Sequence, residues 1–368
     1  GVGAGRGRGS GRVSGNFGPG QREVWAGSGG SSGRVGGKFG PGRREIWAGS
    51  RGEVRSGAGV RGSLEAMSLH VVIAGSSGFL GTHLRQALRE RGHRVTRLVR
   101  SPTSEQDAST WDPYAGVVDR DLVGGADVVV NLAGAPLIGN VHSDKWAREV
   151  RESRVRTTRL LAETIAGSAR PPAYLAGNGI AFYGDHGDQL LTEISESRGD
   201  ALLTDVSREW EAAAAPAAAA GSRVCVLRTS PVMDRRSPPM KQLVPLFKLG
   251  LGGRLGSGRQ HMAMISLRDW VGAVVHLAEH DSAAGPFNMC CETTPTNAEF
   301  TRTLASALHR PAFARVPAKV LEVAAGPMAP ELLGSVNARP AALIDQGFVH
   351  REPDVAAVVR AGLDRLDP

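Results

Sequence analysis

Residues 173–188 read AYLAGNGIAFYGDHGD, so Tyr183, Asp185 and His186 put a phenol, a carboxylate and an imidazole within four positions. Such groups can donate or accept a proton at a reacting carbon–oxygen bond when their pKa values suit the operating pH. A tyrosine does this best with a lysine one helical turn away, whose charge lowers the phenol from about 10 towards neutrality. Four residues after Tyr114, Tyr174 and Tyr183 stand Val118, Asn178 and Gly187, so the chain contains no Tyr-x-x-x-Lys pair. Tyr183 is expected either to face a substrate, with Asp185 and His186, or to be a hydroxyl that fixes its own loop.

A second constellation is VVIAGSSGFLGTHL, in which Gly75, Gly78 and Gly81 follow an apolar run and open an amphipathic one. The first glycine permits a tight turn, the second lets a pyrophosphate approach the backbone, and the third lets a helix pack closely on a strand. The helix N-terminus adds free N–H groups and a dipole that favours phosphate. About 20 residues further on, an NAD site would place an acid to accept from the ribose 2′-OH. The chain instead reads RLVRSP, with Val99 and Arg100 there, and an arginine can pair with a 2′-phosphate and stack on adenine. NADP is the expected cofactor, ahead of NAD.

These residues need a scaffold, and the sequence supplies one. HVVIAG, HRVTRLVR, ADVVVNLAG, AYLAG and SRVCVLRTS read as strands; FLGTHLRQALRERG, SRVRTTRLLAETIA and DVSREWEAAAA between them read as helices. Continuous Val-rich strands alternating with helices predict an α/β fold, a Rossmann-like doubly wound parallel sheet covered on both faces. The expected organisation is a disordered Gly/Arg-rich tail over 1–66, a dinucleotide-binding domain over 67–230 and a small C-terminal lobe over 231–368.

The pieces AGSSGFLG, WDPYAG, VVNLAGAPL, ESRVRTTRLL, FYGDHGD, REWEAAA, VLRTS, LGLGGRLGSGRQ, GPFN and HRPAFARVP run in that order over about residues 69–360. Together they resemble the extended short-chain dehydrogenase/reductase superfamily of NAD(P)-dependent epimerase/dehydratases, and more narrowly the bacterial "epimerase family" proteins of unassigned substrate. The resemblance implies that Gly75, Ser77, Gly78, Phe79 and Leu80 line the pyrophosphate, Arg100 the 2′-phosphate, and Leu132, Ala133 and Gly134 the ribose side. It also marks departures. ALLTDVSREWE carries Leu and Val where the superfamily has its Tyr-Lys pair, and AGNGIAFYG lacks the supporting serine. In GSGRQHMAMISLRD, Met262 and Ser266 stand near an expected arginine and at an expected histidine, although Asp269 is kept. Arg254 and Arg259 are left either to bind a different anion or to be solvated loop residues. The implied function is an NADP-dependent oxidoreductase or epimerase acting on an unknown small molecule without the Tyr-Lys pair. The alternative is a catalytically inactive NADP-binding regulatory or interaction protein.

Composition narrows the partners. Of the formal net charge of +8, +7 sits in residues 1–66, which hold eleven Lys or Arg against four Glu. A nucleic-acid partner is therefore expected only if that tail, which repeats GRVSGNFGPGQREVWAGS as GRVGGKFGPGRREIWAGS, belongs to the natural protein. Three cysteines are too few for a disulfide framework, and no apolar run of membrane-spanning length exists, so a cytoplasmic protein without a membrane partner is expected. HLAEH at 276–280 has the spacing of an inverted zinc-peptidase motif, but the rest of the chain follows a dinucleotide fold, and no metal is expected.

Overall fold

Val71, Val72, Ile73 and Ala74 are completely inaccessible, as expected of a strand covered on both faces. They belong to β1 (His70–Ala74) of a computed structural model that describes residues 68–364. The tail and its expected RNA-binding role lie outside the described residues. After β1 come α1 (Phe79–Glu90), β2 (Arg94–Val99), β3 (Ala108–Thr110), β4 (Val128–Asn131), α2 (Asp144–Ala166) and β5 (Ala173–Gly179). α3 (Leu202–Ala212), β6 (Val224–Thr229), α4 (Leu267–Glu279), β7 (Gly285–Met289), α5 (Asn297–Ala307) and α6 (Val355–Leu363) follow.

The seven strands form one sheet in the order β3-β2-β1-β4-β5-β6-β7, with every pairing parallel. Alternate side chains serve opposite faces. Val71, Ile73, Val128 and Val130 pack with Leu84 and Leu88 of α1 and Trp270, Val274 and Leu277 of α4. Val72, Ala74 and Val129 pack on the other face with Leu161 and Ile165 of α2. Each fully buried Val, Leu or Ile contributes about 1.5–3 kcal/mol, so these two layers hold the sheet rigid beneath its loops. Strand order reverses between β1 and β4, and this is where a doubly wound sheet opens a crevice at its carboxyl ends.

The sheet takes its last strand from beyond residue 231: β7, GPFNM, continues in register beside β6, with Phe287 opposite Leu227. A third apolar cluster, with Met240, Phe247, Phe300, Leu304, Val358 and Val359, gathers α5 and α6 outside the sheet. No helix among the described residues is long and apolar enough to cross a membrane.

Candidate functional site

The turn from β1 into α1 is dictated by its glycines. Gly75 has φ +79°, and a Cβ there would lie 2.6 Å from the Leu132 carbonyl at the end of β4. At Gly81 a Cβ would come within 2.2 Å of the Gly75 carbonyl oxygen. Only glycine lets turn, helix and neighbouring strand approach this closely. Gly78 is the N-cap of α1 and has no side chain to cap it, which leaves the first turn of the helix available to an anion.

This turn forms one wall of a cleft of about 560 Å³, within the range of cofactor-sized pockets. Gly75, Ser77, Gly78, Arg100, Leu132, Ala133 and Gly134 all line it. Phe79 and Leu80 do not; their side chains turn down onto the core. The end of β2 distinguishes two arginines. Arg97 donates to Asp107 at 2.8 Å and also pairs with Glu105, and the Arg97 and Arg89 guanidiniums hold the Asp107 carboxyl down at about 2. Arg100 is exposed on the cleft wall and its side chain has no partner among the described residues. Glu105 also lines the cleft, but its carboxylate is engaged by Arg97.

The opposite wall comes from β4 and α2. Asn131 is fully buried; its Nδ2 donates to Thr158 Oγ1 at 2.9 Å and its Oδ1 accepts from Ala133 N at 3.1 Å. Ser153 Oγ accepts from Ala135 N at 2.9 Å, so the NLAGA segment is clamped to the helix that follows it. Ser153 and Thr157 face the cleft. Between them Arg154 lies against Gly134, with its guanidinium carbon 5.2 Å from the centre of the Trp210 ring. Burial draws its pKa down to about 10. Ser153, Arg154 and Thr157 are not singled out by sequence motifs. Their signal was polar residues on the sheet-facing side of an otherwise apolar helical stripe.

Tyr183 is not in this cleft. It sits in a short 3-10 turn (Ile180–Tyr183) with its side chain fully buried among Ile180, Leu191, Ala263 and Cys290. Its hydroxyl is 2.8 Å from Asn288 Oδ1 and 3.0 Å from the Thr192 carbonyl, and it accepts from Arg228 Nη1 at 2.9 Å. Arg228, itself 3% exposed, forks onto Glu211 through Nε at 3.0 Å and Nη2 at 2.8 Å. Burial pushes the phenol up to about 12, against the pull of the Arg228 charge. A group so enclosed fixes the loop and does not line the cleft. Asp185 is exposed but accepts from Gly187 N and Ser335 N, and buried His186 donates Nε2–H to the Tyr183 carbonyl at 3.1 Å. Both therefore tie the loop to the segment around Ser335 and to itself.

The remaining candidates lie away from the cleft. Arg259 is exposed on the turn after Gly258, outside the cleft lining. Asp269 accepts from the backbone N–H of Arg351 and of Glu352 at 2.9 and 2.8 Å, bolting the segment before α6 onto α4. In HLAEH, His276 and His280 stack on each other, whereas Glu279 goes to Arg91 and His93. Just before α2, His142 meets Gly326, and the short helix Ala329–Leu333 that follows Gly326 in the chain carries Glu331, whose carboxyl is pushed up to about 7 by burial.

A parallel sheet in this order, with a glycine turn pressed on the neighbouring strand, defines a Rossmann-like dinucleotide-binding protein of the extended short-chain dehydrogenase/reductase type. The chain belongs to the NAD dependent epimerase/dehydratase family, whose model matches residues 71–290; a domain of unknown function (DUF1731) matches residues 316–361. It is 36% identical over 279 residues to Epimerase family protein ML0860 of Mycobacterium leprae, covering 76% of this chain and 90% of that protein. It is 32% identical over 296 residues to human Epimerase family protein SDR39U1, covering 79% and 99%. The crystal structure of human SDR39U1 (isoform 2) with NADPH superposes with a TM-score of 0.72 at 30% identity, covering 81% of this chain and all of that one. A nucleoside-diphosphate sugar epimerase from Corynebacterium glutamicum gives 0.67 at 33% identity, covering 81% of this chain and 59% of that one.

Proposed function

We propose that this chain binds NADP(H) in the β1–β4 crevice and works as an oxidoreductase or epimerase-like enzyme on a small molecule. The observation that carries the reading is Arg100: a cation on the cleft wall, at the end of β2, whose side chain has no protein partner among the described residues. The NADPH in the human relative's structure supports the same choice. In this reading the glycine turn and the first turn of α1 hold the pyrophosphate, Arg100 the 2′-phosphate, and Leu132–Gly134 the ribose beyond it. The nicotinamide supplies hydride transfer; the protein supplies orientation and exclusion of water.

Any proton transfer runs without a Tyr-Lys pair, since Leu202 and Val206 occupy those places on α3 and Val206 is buried. Tyr183 is held by three partners, which favours a second reading, a cofactor-binding regulator without turnover. Fluorescence titration with NADPH and NADH, followed by a panel of carbonyl compounds, tests both. Saturation by NADPH with oxidation by some carbonyl supports the enzyme. Tight binding with no oxidation by any of them supports the regulator. Failure to bind either nucleotide sinks both.

A further inference from the structure

Behind the cleft lining, against Gly134 and between Ser153 and Thr157 on α2, stands a second cation that the cofactor reading does not use. Arg154 projects from α2 against Gly134, where a Cβ would lie 3.4 Å from its Cγ and Cζ, and its guanidinium rests over Trp210. One donor, Nη1, reaches the Val150 carbonyl at 3.0 Å, and Arg154 forms no ion pair among the described residues. Arg228 shows what this molecule does with an arginine that serves the fold: Nε and Nη2 are bonded to a carboxylate and Nη1 to a phenol and a carbonyl. Arg154 is likewise withdrawn from water, enough for burial to lower its pKa to about 10, yet lacks that compensation. A half-desolvated guanidinium with free donors beside an open cleft is a receptor for an oxyanion, because its planar fork matches a carboxylate or phosphate in two parallel bonds.

Its position says which molecule would bring that anion. Gly134 closes the β4 segment that faces the glycine turn, and Trp210 stands on α3, one turn beyond Val206. α3 therefore offers no charge where the superfamily's lysine would stand, and Arg154 of the neighbouring helix brings one to that helix's flank. We propose that Arg154 is the substrate's anion receptor: it holds a carboxylate or phosphate group of a small molecule at the Gly134 end of the cleft. This rests on the cofactor reading and extends it to a substrate class, small organic oxyanions. The role is binding and orientation; a guanidinium stays protonated at neutral pH and moves no proton.

The test is calorimetry on protein saturated with NADPH, so that Arg100 is already occupied, with oxalate, inorganic phosphate and neutral oxamide as probes. Oxalate and phosphate distinguish a carboxylate from a phosphoryl group. At least one dianion should bind and oxamide should not. Arg154→Gln should weaken that binding by about tenfold or more, Arg154→Lys by less, and both should keep NADPH affinity within about twofold. The lysine variant keeps the charge and guards against a folding defect. Equal dianion binding by wild type and Arg154→Gln overturns the proposal, as does a wild type that binds neither dianion. Loss of NADPH affinity in Arg154→Gln would assign the residue to the cofactor and also overturn it. A wild type that does not bind NADPH fails the cofactor reading first, and this proposal with it.

Discussion

Arg228 and the pair Arg100 and Arg154 are the same side chain in opposite circumstances. Arg228 lies under the FYG loop, 3% exposed, with a bidentate carboxylate, a phenol and a carbonyl around it and its guanidinium carbon 3.7 Å from the centre of the Phe182 ring. Arg100 lines the cleft and Arg154 lies against its lining residue Gly134, and neither forms an ion pair among the described residues. Charge buried with full compensation builds the scaffold; charge left uncompensated beside a cavity is free to meet a ligand, and the proposed function rests on that freedom. The residues that first looked chemical, Tyr183 and His186, belong to the sealed region, and the residues with chemistry to offer lie in the open one.

Breaking the sealed region should cost the most stability. Arg228→Ala strips Glu211 and the Tyr183 hydroxyl of their cation, and urea unfolding should show a loss of about 3–5 kcal/mol. Glu331 comes next. Its folded pKa of about 7 lies above the ordinary 4.5, so its unfavourable contribution is absent below pH 4.5 and complete above pH 7. Glu331→Gln should therefore stabilise the protein at pH 8 by up to about 3 kcal/mol and leave it unchanged at pH 4, as read by paired unfolding curves. Tyr183→Phe leaves Arg228, Asn288 and Thr192 short of a partner and should cost about 1–3 kcal/mol with NADPH affinity unchanged. A loss of NADPH binding in Tyr183→Phe would mean that the two regions are coupled and the contrast is false.

Much of the scaffold is written locally. The glycine turn, β1 and β4 announce themselves by spacing and Val-rich runs, because a strand buried on both faces has little freedom to be polar, and β2, β5 and β6 by shorter apolar runs between helices. β3 and β7 do not. AST is short and half-exposed, and GPFNM carries a glycine and a proline that suit an edge strand but read as a loop. α2 begins earlier than its apolar periodicity indicates, at Asp144, with Ser143 as N-cap. The place of Arg100 on the cleft wall was legible because it follows the second strand directly. The fates of Tyr183 and Arg154 were not, since each is decided by partners far along the chain: Asn288 and Arg228 for one, Trp210 for the other. Sequence gives a residue's chemistry, whereas pairing across the fold determines whether that chemistry is free.

Arg100→Ala has the smallest expected effect on stability, within about 0.5 kcal/mol, and the largest on the claim that an open cation awaits a ligand. Titration of wild type and variant with NADPH and NADH measures it directly. Wild type should prefer NADPH, and the variant should lose about tenfold or more of NADPH affinity, about 1.4 kcal/mol, while NADH affinity holds, so that the preference disappears. Unchanged NADPH affinity in Arg100→Ala, or a wild type that prefers NADH, would contradict the account.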